Sequence, residues 1–240
     1  MKTLSNYILE KLVINKHYET DEYFVYNHKD HGEIQIFGED FEQLNDYINN
    51  VYINGEKAEI REFIGTTKKQ YEPGIYKVKI ANINDIRSCE NMFKKCNELI
   101  EIPIFDTSKV KNMKQMFYGC ISLLSIPELD FSSVEDMTRT FSQMVNVEHL
   151  PELNLPNCEK LVGTFGRLEH ITTIKLITTD KLKEADYAFF ECMELENVPL
   201  FNVDNVKKLD NMFGYCKHLS IKTMDDWGQI YDFMHHKRKL

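Results

Sequence analysis

The stretch NMKQMFYGC, residues 112–120, sets two methionines, a phenylalanine and a cysteine within nine positions. Side chains this soft suit either a metal or redox site or close apolar packing. Which of the two applies decides the fold. A search for self-similarity comes first. Phe93, Phe117, Phe141, Phe165, Phe189 and Phe213 recur every 24 residues, without insertion or deletion. Three positions after each stand Cys96, Cys120, Met144, Leu168, Cys192 and Cys216, and six after stand Leu99, Leu123, Val147, Ile171, Leu195 and Leu219. Further apolar columns run through Ile102, Phe105, Val110 and Met113 and their counterparts. Met144 and Leu168 replace cysteine in its own column, so that position calls for a medium-sized apolar group and not a thiolate. The opening stretch therefore reads as packing.

Within a unit, Val110, Met113, Met116 and Phe117 are spaced as one face of a short helix, with Ser108 and Ser132 as N-caps in successive units. An extended segment follows, with Leu123 and Ile126 inward, and the prolines Pro103, Pro127, Pro151 and Pro199 limit its pairing to a few residues. The segment GIYKVKIANI, with Ile75, Val78, Ile80 and Ile83, reads as a leading unit of the same stack. The fold expected is α/β: a leucine-rich-repeat solenoid of 24-residue units over residues 73–222. A small α+β module over residues 1–72 precedes it, and a helical cap and basic tail over residues 223–240 follow it. The module should hold a helix at LSNYILEKLVI, strands at YFVYN and EIQIF, a helix at FEQLNDYINNVYI and a turn at Asn54-Gly55. In the cap, Met224, Trp227, Ile230, Tyr231, Phe233 and Met234 fall at helical spacing over residues 223–236 and would cover the apolar end of the stack.

The string FDTSKVKNMKQMFYGCISLLSIP, residues 105–127, resembles the bacterial leucine-rich repeats of the BspA type, which occur in surface proteins, lipoproteins and some phage-encoded proteins. The likeness spans roughly residues 75–220, and the fourth unit keeps the spacing while losing most signature residues. It implies a curved right-handed stack with one parallel sheet, and a role in binding other macromolecules.

Composition narrows the function. With 29 Lys and Arg against 38 Asp and Glu the formal charge is −9, so no nucleic-acid partner is expected. The basic cluster HHKRKL reads as a solvated tail. No window is apolar enough for a membrane span. MKTLSNYILEKLVINK lacks the features of a signal peptide, so the protein is expected in the cytoplasm, or alternatively in a phage virion. Phosphate-binding glycine loops, a nucleophile elbow and H-E-x-x-H are missing. His17, His28 and His31 sit among Asp21, Asp30 and Glu33, but their spacing is no strong zinc pattern, and such residues fill solvated loops readily. No catalytic residue, no metal site and no cofactor are assigned, and an enzyme is not expected.

The expected activity is non-enzymatic protein binding through the sheet face of the repeats. Residues between the inward positions form one row, Lys77, Glu101, Ser125, His149, Thr173 and Asn197, with Glu128 and Glu152 beside it. A phage-encoded modulator of a host protein is one form of this role. A structural or adhesive component of a virion, tail or surface is the alternative, and an enzyme docking its substrate on the repeats is a third class. Neither the partner's identity nor the oligomeric state can be read from the residues.

Overall fold

The computed structural model describes residues 22–198 and 200–228. The aromatic run FVYNH forms β1 (Phe24–His28), in which Phe24 and Tyr26 are fully buried, as suits a central strand. A short helix α1 (Leu44–Tyr47) leads to β2 (Val51–Ile53). Asn54 and Gly55 then turn the chain with φ values of 50° and 87°, the left-handed pair that a two-residue hairpin needs, into β3 (Glu56–Lys57). Gly74–Ile80 is β4 and Leu99–Glu101 is β5. The five strands form one sheet in the order β3-β2-β4-β1-β5, with every pairing antiparallel.

This β-rich arrangement corrects the expected α/β leucine-rich-repeat solenoid with its helical cap. GIYKVKIANI is not a leading repeat unit: residues 74–80 of it form the middle strand of an antiparallel sheet. Among the described residues, parallel pairing is confined to β6 (Leu153–Asn154) with β7 (Leu176–Thr178) and to isolated bridges such as Asn112 with Asp136 and Ser125 with His149. No unit contains a helix among its described residues. Among the described residues, helical backbone is limited to α1, a 3-10 turn at Ile83–Asp85 and residues 221–228.

Backbone geometry explains why helical spacing did not produce a helix. Gln115 and Gly119 have φ of 55° and 71°, and the same two positions are left-handed in each unit from Asn91 and Lys95 to Asn211 and Tyr215. A right-handed helix cannot run through them. The N–H groups alternate instead. Those of Met116, Tyr118 and Cys120 close tight turns onto Met113, Gln115 and Phe117. Those of Met113, Gln115, Phe117 and Gly119 reach the carbonyls of Asp136, Thr138, Thr140 and Ser142 in the next unit, and equivalent bonds of 2.7–3.0 Å join each unit to its successor up to Glu191 and Gly214. Successive overlapping four-residue turns return side chains to one face at intervals of three and four, which sequence alone cannot tell from a helix. The serines are not caps either. Asp106 and Asp130 accept the N–H of Ser108 and Ser132 at 2.9 and 2.8 Å, the side-chain turn in which Asp excels.

Apolar columns fill the interior. The rings of Phe93, Phe117, Phe141, Phe165, Phe189 and Phe213 stack at centroid distances of 5.2–6.1 Å. Phe24 of β1 extends the series, lying 5.1 Å from Phe93. Residues 24–80 thus join the first unit through the β1–β5 pairing and through the Gly38 N–H, which donates to Met92 at 2.8 Å. At the other end Trp227 is buried against Phe201 and Phe213, and its indole N–H donates to the Val198 carbonyl at 3.2 Å.

Residues 33–37, expected as a strand, make only an isolated bridge from Gln35 to Thr66. The expected helix over residues 41–53 shortens to α1 before the chain turns into β2. The N-terminal helix LSNYILEKLVI and the cap residues after 228 lie outside the described residues.

Candidate protein-binding groove

The residues expected to bind a partner divide into two groups. Lys77 on β4 and Glu101 on β5 each lie opposite Val25, on either side of β1. An inserted strand therefore separates them, and they do not continue into a row with Ser125. Glu101 is half-buried, and this burial raises its carboxyl above the usual range while the Lys77 charge pulls it partly back. The Lys77 ammonium sits 5.6 Å from the centre of the Tyr23 ring. These two residues belong to the sheet's own packing.

Glu128, His149, Glu152 and Thr173 do come together. They line a groove of about 490 Å³ with Glu148, Leu150, Pro151, Thr172 and Lys175. Its walls are held by backbone pairing: Ser125 bridges to His149, the Glu148 N–H donates to Leu124 at 3.0 Å, and the Leu153 N–H donates to Lys175 at 3.0 Å. Apolar side chains at Ile126, Val147, Ile171 and Ile174 anchor the same segments from beneath, so the polar groups above stand on a packed base. Lys175 pairs with Glu152 at 3.0 Å, both exposed, and such a pair is worth little to stability. Three carboxylates and His149 share the groove with this one ammonium, so its field is acidic overall.

Ser125 is exposed at the groove's approach. Asn197 bridges to Thr173 but its side chain accepts from the Ser220 hydroxyl at 3.2 Å, tying it to the segment before residues 221–228. Glu148 and Thr172 went unassigned in the sequence because strict alternation counts one outward residue per inward one. Here the chain is bent, and the bridging residue and the one before it both face out, Glu148 with His149 and Thr172 with Thr173.

His17 and Asp21 lie outside the described residues, and the remainder of the histidine-rich loop does not converge. His28 bonds to Glu98 at 2.8 Å, His31 to Glu72 and Gln70, and Glu33 to Arg61 and Thr66. Among the described residues no cluster of three or more His, Cys, Asp or Glu side chains is placed to hold a metal ion. The cysteines Cys89, Cys96, Cys120, Cys158 and Cys192 are buried inside the stack. Burial raises the thiols of Cys89, Cys96 and Cys120 far above their usual range and that of Cys158 to about 12. Protonated thiols of this kind are neither nucleophiles nor ligands. No helix among the described residues is long and apolar enough to cross a membrane.

Searches of curated proteins and of solved structures return no match. One family model does match, over residues 87–227, which is more than half of the 240 residues and takes in the whole groove. The chain belongs to that family, described as a Mycoplasma protein of unknown function, DUF285.

Proposed function

We propose that this chain is a non-enzymatic protein that binds a macromolecular partner, a protein, across the groove formed by Glu128, His149, Glu152 and Thr173. The observation that carries the reading is the groove itself. It gathers half of the residues named from the sequence into one acidic concavity held by inter-unit hydrogen bonds. A preformed concave surface loses little conformational entropy on association. Its acidic field favours a partner with a basic contact surface and speeds their encounter at low salt. The resemblance of the repeat string to BspA-type sequences, whose members bind macromolecules, points the same way.

The test is capture with the full chain carrying a photo-crosslinker at Thr173, beside a Glu128→Lys/Glu152→Lys version. One protein crosslinked by the parent and lost, by about tenfold or more, from the charge-reversed chain is the expected outcome; two rim charges of this kind are worth that much. An identical crosslinked set from both proteins would remove the groove from the function. Crosslinks confined to particle components would favour the structural or adhesive role.

A further inference from the structure

The inter-unit ladder ends abruptly. In each earlier unit four N–H groups donate to the following one, and the last to do so are Ala185, Tyr187, Phe189 and Glu191. Their counterparts 24 residues on are Leu209, Asn211, Phe213 and Tyr215, whose N–H groups make no hydrogen bond to any described residue. Leu209 is only 4% exposed, and an unpaired N–H in such surroundings is costly. Beside this row lies a cleft of about 350 Å³ whose apolar wall includes Met212, Phe213, Leu219, Met224 and Trp227.

Donors predominate on this edge, because the carbonyls of Asn211 and Phe213 accept from Gly214 and Cys216 within the unit. Two copies related by a two-fold axis would set most of these donors against one another, which disfavours self-pairing at this edge. Head-to-tail stacking is blocked as well. At the first unit the outward carbonyls of Glu90 and Met92 are already taken by the N–H groups of Glu42 and Gly38. That end also shows how such an edge is satisfied: by irregular chain from outside the repeats.

We propose that the Leu209–Tyr215 edge is a docking site for a segment of a partner protein that takes up the turn backbone of a repeat unit. Main-chain carbonyls at alternate residues of that segment accept from the four N–H groups, as those of Asp136, Thr138, Thr140 and Ser142 do from the unit before them. One of its apolar side chains enters the cleft lined by Phe213, Met224 and Trp227. This site shares no lining residue with the polar groove, so either can fail alone.

The test uses the isotope-labelled full chain and a synthetic peptide, VEDMTRTFSQM, copying residues 134–144. Within the chain, Asp136, Thr138, Thr140 and Ser142 offer carbonyls in the required register. Saturable downfield shifts of the four amides, slowed amide exchange, and a change in emission from the single tryptophan, Trp227, are expected. Met224 is 52% exposed on the cleft wall, so Met224→Lys should leave the circular dichroism unchanged and weaken binding about tenfold or more. No saturable change at millimolar peptide would overturn the proposal, as would a Met224→Lys chain that binds like the parent. It would also fall if the four amides are already protected in the chain alone, since its own later residues would then occupy the edge. Sodium phosphate producing the same shifts would make the row an anion site instead.

Discussion

Single residues carry much of the architecture through their φ angle. Lys95 is exposed and holds φ at 59°, while its counterpart in the next unit is Gly119 at 71°. A side chain is unfavourable there whatever surrounds it. Lys95→Gly should therefore raise stability by about 0.5–1 kcal/mol in equilibrium urea unfolding. Gly119→Ala should lower it by a similar amount, since its new Cβ would also press on Lys95 Cγ at 3.4 Å. Equal and opposite failures of both would show that the two positions are not left-handed. Cysteine acts at the same scale through its proton. In the folded chain burial raises the thiol of Cys158 from its ordinary 9.0 to about 12, and raises Cys89, Cys96 and Cys120 as well. The unfolded chain loses these protons first. Stability is thus complete below about pH 9 and falls above it, by about 1.4 kcal/mol per thiol for each pH unit. The ionisation of Tyr26, also raised by burial, adds in the same direction at higher pH. Urea midpoints measured in reductant at about pH 8 and about pH 10 should show the drop, and a flat profile would mean that the thiols are accessible.

At the scale of one 24-residue element, the apolar columns were legible in the sequence and the backbone was not. Phe117 falls in the register expected of it, fully buried between Phe93 at 5.9 Å and Phe141 at 6.1 Å. Phe117→Ala should cost about 3–5 kcal/mol, against little for exposed Ser125→Ala, both read from urea unfolding. A near-neutral Phe117→Ala would place that ring outside the stack. The helix read over Val110–Phe117 was lost because periodicity reports only which side chains share a face. Overlapping four-residue turns with left-handed residues give the same recurrence. The signal that separates them is weak: Gly119 and Gly163 stand at left-handed positions, but Lys, Gln, Arg, Glu, Tyr and Asn fill most of the others. The Asp turn was more visible. Asp106, Asp130 and Asn202 recur just before the units' turns, and their carboxyl or amide oxygens accept the N–H two residues on.

For the whole molecule, the decisive contact is where the residues ahead of the repeats meet the first unit. Gly38 lies so close that a Cβ there would stand 2.1 Å from the Asn91 carbonyl and 2.6 Å from the Lys94 nitrogen, both backbone atoms. Gly38→Ala should cost about 3 kcal/mol or more by forcing the two parts apart. Amide exchange at Gly38 and Asn27, which donate to Met92 and Glu98 across the junction, should accelerate. Gly32→Ala meets nothing within 4 Å and serves as the control. Unchanged exchange at the junction in Gly38→Ala would show that the β1–β5 pairing alone sets the docking. The same junction explains why Lys77 and Glu101 left the predicted row: β1 arrives from far along the chain and inserts between them.

By itself the sequence determined the 24-residue period, the columns that are buried and the acidic character of the surface, because burial of apolar side chains imposes a recurrence that any reader can count. It also placed Glu128, His149, Glu152 and Thr173 on the outside. Only the tertiary structure decided that the units are built of turns and not helices, that the largest sheet is antiparallel, and that those four residues line one groove. The physical reason is that each of these rests on hydrogen bonds between backbone groups distant in the chain. Backbone groups are the same in every residue and leave no mark in the order of the side chains.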